Sequence, residues 1–169
     1  MVRCTAKALR LLGVPPAALA DVEPGEDDWY ANLLWFDRRK CLLLTHAGTV
    51  FSVFAPDVRT RDLDPLGPFL VDSIERALDA ERLPHDALGP LDPRDVSVAK
   101  TASRRVLGWM NEIAVHLDYL LPRGRLMDVD VVGVNRQLQR TLYGYEGGYA
   151  QPLDLVAARA RTTGGRGCE

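Results

Sequence analysis

Three short apolar runs, residues 29–36, 40–45 and 50–54, follow one another with only Asp37-Arg38-Arg39 and His46-Ala47-Gly48-Thr49 between them. Gaps that short cannot hold a crossover helix, so successive strands must fold back on each other, and the spacing predicts a three-stranded antiparallel meander. The first run is apolar at both parities. Trp29, Ala31, Leu33 and Trp35 share one face, Tyr30, Leu34 and Phe36 the other, and Asn32 is the polar exception on that second face. A strand apolar on both sides belongs in the middle of a sheet with material packed on each face.

Helical periodicity supplies that material. Leu66, Leu70, Ile74, Ala77 and Leu78 recur at helical spacing and predict a helix over about 64–83, ended by Pro84. Val106, Met110, Ile113, Ala114, Leu117, Leu120 and Leu121 make a continuous stripe over 104–121, stopped by Pro122 and Gly124. Val131, Val134, Leu138 and Leu142 predict a further helix over 129–142, before the turn-rich 144–148. At the start, residues 2–4 read as a strand and Ala8, Leu11 and Leu12 as one side of a short helix ending at Gly13; Val96 and Val98 alternate as a second short strand. The segment through Glu23, Pro24, Gly25, Glu26, Asp27 and Asp28 reads as an exposed acidic loop, and 85–94, with Gly89, Pro90 and Pro93, as a linker. The expectation is one α+β domain over residues 1–160, an antiparallel meander packed against three or four helices, with 161–169 a disordered tail carrying Gly164, Gly165 and Gly167. A chain of 169 residues is long enough for one sizeable core and short for two.

Composition narrows the partners. A net charge of -2 and a pI near 5.9 give no overall field that would gather nucleic acid or anionic membrane, so such a partner must be met by a local patch. No apolar run approaches the length that spans a bilayer, and Arg3, Lys7 and Arg10 interrupt what would be a signal sequence. Cys4, Cys41 and Cys168 form an odd set without CxxC spacing, which fits reduced thiols in a cytoplasm better than a disulfide framework or zinc finger. The three histidines have no HxH or HxxxH spacing, and neither a metal nor a cofactor is expected.

Two basic segments stand out. Lys100, Thr101 and Arg104 lie where a strand enters the long helix, and free N–H groups at a helix start attract anions; Thr101 or Ser103 can equally be plain caps beside solvated cations. Arg38 and Arg39, followed by Lys40, form a basic hairpin tip, which is also a common device against edge aggregation. Lys7 beside Cys4 and Thr5 would favour a thiolate, though nothing in the sequence pairs a base with Cys4, and a buried structural cysteine is the plainer reading. Asn111, two turns into the long helix from Arg104, is placed to hydrogen-bond across to Asn32 or to a backbone group.

Four pieces in this order, Cys4-Thr5-Ala6-Lys7, Trp29-Tyr30-Ala31-Asn32-Leu33, Asp37-Arg38-Arg39-Lys40 and the stretch from Lys100 to Asn111, resemble the bacterial domain-of-unknown-function family 6933. The resemblance covers nearly the whole chain except about its last twenty residues. It implies a small intracellular protein, in some members joined to a domain found on plasmids and transposons, and it supplies no activity or catalytic residues. The chain departs from the family at Trp109, where members often carry a small residue.

Three functional readings follow. The first is a non-catalytic binding or regulatory domain whose basic segments, Lys7, Arg38, Arg39, Lys100, Thr101, Arg104 and Asn111 among them, meet a phosphate-bearing or acidic partner such as nucleic acid. The second is an enzyme acting on a nucleotide or phosphate-containing substrate, with Cys4 or Asn111 in the chemistry. The third is a structural homo-oligomer subunit, suggested by three tryptophans with Trp109 at the surface.

Overall fold

The apolar runs pair as their spacing requires. In the computed structural model, which describes residues 1–164, β2 (Trp29–Phe36), β3 (Arg39–His46) and β4 (Ser52–Ala55) form the antiparallel meander, in register from Trp29↔His46 to Phe36↔Arg39 and from Thr45↔Ser52 to Leu42↔Ala55. The first connection is tighter than its sequence suggests, because Arg39 already belongs to β3. Asp37 and Arg38 alone make the turn, at φ 48° and 61°, the left-handed pair that lets the strands keep their twist. Aspartate tolerates that conformation, and here its carboxylate is also used: Gly124 N–H donates to Asp37 Oδ1 (2.7 Å) and Leu126 N–H to Oδ2 (3.0 Å), so the tip is tied to the loop after the long helix.

The sheet is larger than the meander. β1 (Val2–Cys4) inserts parallel beside β2, and β5 (Val98–Lys100) pairs parallel with β1, giving the order β4-β3-β2-β1-β5. The meander is therefore three strands of a mixed five-stranded sheet. β2 is interior because its two-sided apolar pattern has a neighbour on each flank and helices over each face.

Those helices divide by parity. On the Trp29 face, Val2, Cys4, Ala31, Leu44, Phe51 and Val53 pack against Leu70, Ile74, Ala77 and Leu78 of α2 (Leu66–Ala80) and Ala8 of α1 (Ala6–Leu12). On the Tyr30 face, Cys41, Leu43 and Phe54 meet Val106, Trp109, Met110, Ile113 and Leu117 of α3 (Arg104–Leu120). α4 (Val131–Arg140) starts at an Asp130 cap, whose Oδ1 accepts from Gly133 N–H (3.0 Å), and lies along the outer edge of β4. There it does what another strand would do. Asn135 Oδ1 accepts from Phe54 N–H (2.7 Å) while its Nδ2 donates to Phe54 O (3.1 Å); Gln139 Oε1 accepts from Ser52 N–H (3.2 Å) and its Nε2 donates to Ser52 O (2.5 Å). Four helical residues rise about 6 Å and two strand residues about 6.8 Å, so amides at i and i+4 reach alternate strand positions.

After α4 come a hairpin, β6 (Tyr143–Tyr145) with β7 (Gly148–Ala150), and α5 (Pro152–Gly164), which makes five α-helices among the described residues. The hairpin docks on Trp109, which is 4% exposed rather than at the surface: its Nε1 donates to Gly144 O (2.7 Å), its ring stacks on Tyr145 at 5.8 Å, and the Arg105 guanidinium lies over it. The expected tail from 161 is helical as far as Gly164, and 165–169 lie outside the described residues.

Candidate functional site

β1 and β5 run parallel and in register, Cys4 opposite Lys100, so the residues that follow each strand emerge at the same end of the sheet. After Cys4 the chain passes through Thr5, whose hydroxyl caps α1 by accepting from Ala8 N–H (3.4 Å), and reaches exposed Lys7 in the first turn. After Lys100, half-buried Thr101 leads to Ser103, the cap of α3, whose hydroxyl accepts from Val106 N–H (3.3 Å), and exposed Arg104 opens the helix. Lys7, Lys100, Thr101 and Arg104 thus share one end of the sheet. Among the described residues, none of the three cations meets a carboxylate.

The buried base of this end is Arg3, 3% exposed, which the sequence offered only as an interruption of apolar residues. Its Nε donates to Asp28 Oδ2 (2.6 Å), Nη1 to Lys100 O (3.3 Å) and Nη2 to Val22 O (2.6 Å). One guanidinium therefore ties the end of β5 to the segment before β2. A cleft of about 400 Å³ opens between that segment and the β5–α3 junction, lined by Arg3, Lys100, Thr101 and Ala102 on one side and Asp21 and Glu23 on the other.

The second basic segment lies elsewhere. Ala31 of β2 is level with Cys4 and Lys100, whereas Arg38 follows the far end of β2; five residues of strand separate the two levels by about 17 Å. Arg38 faces the Gly124–Asp128 loop, and Arg39 Nη1 is committed to Asp57 Oδ1 (2.7 Å). Asn111 is exposed on α3, and the Oδ1 of Asn32 accepts instead from Thr5 Oγ1 (2.9 Å). So Lys7, Lys100, Thr101 and Arg104 share one end of the sheet, with Lys7 on α1 over the Trp29 face and Arg104 on α3 over the Tyr30 face, while Arg38 and Arg39 lie farther along β2.

Thiol chemistry is not supported at this end. Cys4 is 1% exposed and desolvation pushes its pKa up to about 12, so the thiolate is suppressed. His46, fully buried, bonds through Nδ1 to Thr49 Oγ1 (3.0 Å), and burial pushes its pKa down to about 4. His116 lies near Thr141 Oγ1 (3.5 Å) and His85 between Glu75 and Asp79. No cluster of three or more His, Cys, Asp or Glu suited to a metal ion occurs among the described residues, and no described helix is long and apolar enough to cross a membrane.

No curated protein and no solved structure matches the chain. A family model for a domain of unknown function, DUF6933, matches residues 1–155, the span that contains the sheet, α1 to α4 and the Lys7–Lys100–Arg104 end. The chain belongs to the DUF6933 family.

Proposed function

We propose that this protein is an intracellular, non-catalytic binding or regulatory domain that engages a phosphate-bearing or acidic partner through Lys7, Lys100, Thr101 and Arg104. The observation that supports this reading is a contrast in pairing. Arg3 and Arg105, from the same two segments, are each committed to an aspartate or glutamate, whereas Lys7, Lys100 and Arg104 carry none among the described residues at one end of two parallel strands. Unneutralised cations beside the start of a 17-residue helix favour an anion by charge and by free backbone N–H groups. Titration with pyrophosphate and with a short DNA duplex tests it. Lys100→Ala together with Arg104→Ala should weaken binding at least about tenfold, with a shallower salt dependence, and Arg38→Ala should leave it unchanged. Absence of binding to both probes, or an equal loss in Arg38→Ala, overturns the reading.

The alternative of an enzyme acting on a nucleotide or phosphate-containing substrate is disfavoured by the burial and raised pKa of Cys4. A homo-oligomer draws support from another residue than Trp109: Trp35, 56% exposed, stands on the part of β2 that extends past β1. Light scattering in solution separates that reading from the first, since Trp35→Ser would then reduce the mass observed.

A further inference from the structure

A second cavity, of about 280 Å³, lies on the Trp29 face between α2 and the 85–97 segment. Its walls are apolar, with Leu70, Val71, Ile74, Leu88, Leu91 and Val96. The segment closes onto α2 because residue 67 is glycine: a Cβ there would lie 2.7 Å from the Pro93 carbonyl carbon, so any side chain would lift the wall away. Two features make this more than a gap between layers. Trp29 lines the cavity, is 4% exposed, and its indole N–H has no acceptor among the described residues. A buried donor without a partner carries a desolvation cost of about 1–3 kcal/mol unless something supplies the acceptor. The rim, in turn, is acidic. Of its three aspartates, Asp92 is held by Arg94 and Asp27 by Arg159, while Asp95 is exposed and carries no cation among the described residues.

We propose that this cavity binds a small amino-substituted nitrogen heteroaromatic, neutral or cationic, of the aminopurine or aminopyridine class. A flat ring lies against Val71, Leu91 and Val96, a ring nitrogen accepts from Trp29 Nε1, and the amino group donates to Asp95. Asp95, the rim carboxylate with no cation among the described residues, disfavours a phosphate placed beside it, so the preferred ligand is a base or nucleoside and not a nucleotide. This site is separate in residues and in charge from the Lys7–Lys100–Arg104 end.

Adenine serves as the probe, followed by isothermal titration and by thermal unfolding of the full chain, with AMP as the comparison. Adenine should bind and raise the melting temperature. AMP should bind at least about tenfold more weakly, and Trp29→Phe and Asp95→Asn should each lose about tenfold in adenine affinity. Asp95 is at the surface, so its variant reports even where Trp29→Phe fails to fold. No heat and no melting shift with millimolar adenine overturns the proposal, as does adenine binding that is indifferent to Asp95→Asn or matched by AMP.

Discussion

The amides of α4 are the only groups that close the outer edge of β4 among the described residues, and removing one should cost far more than its exposed neighbour. In Gln139→Leu the side chain keeps its bulk, but Ser52 N–H and Ser52 C=O, both bonded to Gln139 and both buried, lose their partners. Each orphaned backbone group costs about 1–3 kcal/mol, so the expected loss is about 2–6 kcal/mol, a large fraction of the stability of an ordinary domain. Asn135→Leu does the same to Phe54 N–H and C=O. The two amides serve different strand residues, but they share a helix, and loss of one lets α4 lift from the other. The double variant should therefore lose less than the sum, with a coupling of about 1 kcal/mol. The control is Gln137→Leu on the exposed side of the same helix, expected within about 0.5 kcal/mol of the parent. Urea unfolding followed by circular dichroism gives the four differences from the parent. The reasoning is refuted if Gln139→Leu costs no more than Gln137→Leu, because the edge would then be satisfied without the amides.

Three further expectations are independent of that helix. His46 is neutral in the fold, with its pKa near 4 against the usual 6.5, so the unfolded chain binds the extra proton between those values and stability falls as pH drops from about 6.5 to about 4. The full shift corresponds to about 3 kcal/mol, and His46→Gln should flatten that part of a pH-dependent denaturation profile. Arg38→Gly should hold or raise stability by up to about 1 kcal/mol in chemical denaturation, because glycine relieves the left-handed conformation at φ 61° and the Asp37 anchor is untouched. Trp109→Phe removes the bond to Gly144 O and should cost about 1–2 kcal/mol, with hydrogen-exchange protection falling first in 143–150.

Periodicity carried the parts of the fold whose partners are local. The stripe from Val106 to Leu121 and the two-sided pattern of β2 located α3 and the sheet centre to within a residue or two. What periodicity cannot carry is which strand lies beside which. β1 and β5 are three residues each, and their parallel pairing joins residues as distant in sequence as Val2 and Val98 or Cys4 and Lys100, which no local pattern links. The same holds for Asn135 and Gln139. Polar residues at i and i+4 on an otherwise apolar face are the one visible signal of an edge cap, and it acquires meaning only once β4 is known to be an edge. Trp109 read as a surface aromatic because its cover, β6 and β7, is built of glycine- and tyrosine-rich turns with little apolar alternation.

The acid run Glu26-Asp27-Asp28, read as an exposed loop but buried at Asp28, still organises both candidate sites. Each carboxylate takes a different arginine from a different element: Glu26 takes Arg105 of α3, Asp27 takes Arg159 of α5, and Asp28 takes Arg3 of β1. The last pair is the buried one, and breaking it leaves a charge without compensation. Arg3→Met should therefore cost about 3–5 kcal/mol, while Arg3→Met combined with Asp28→Leu should recover most of that loss. Because Arg3 also holds Lys100 O and Val22 O, the double variant restores stability without restoring the tie between β5 and the 20–28 segment. Pyrophosphate affinity measured on that stable double variant separates positioning from folding. A value unchanged from the parent would show that Lys100 and Arg104 hold their places without Arg3, and a loss would show that the buried guanidinium sets the geometry of the anion site.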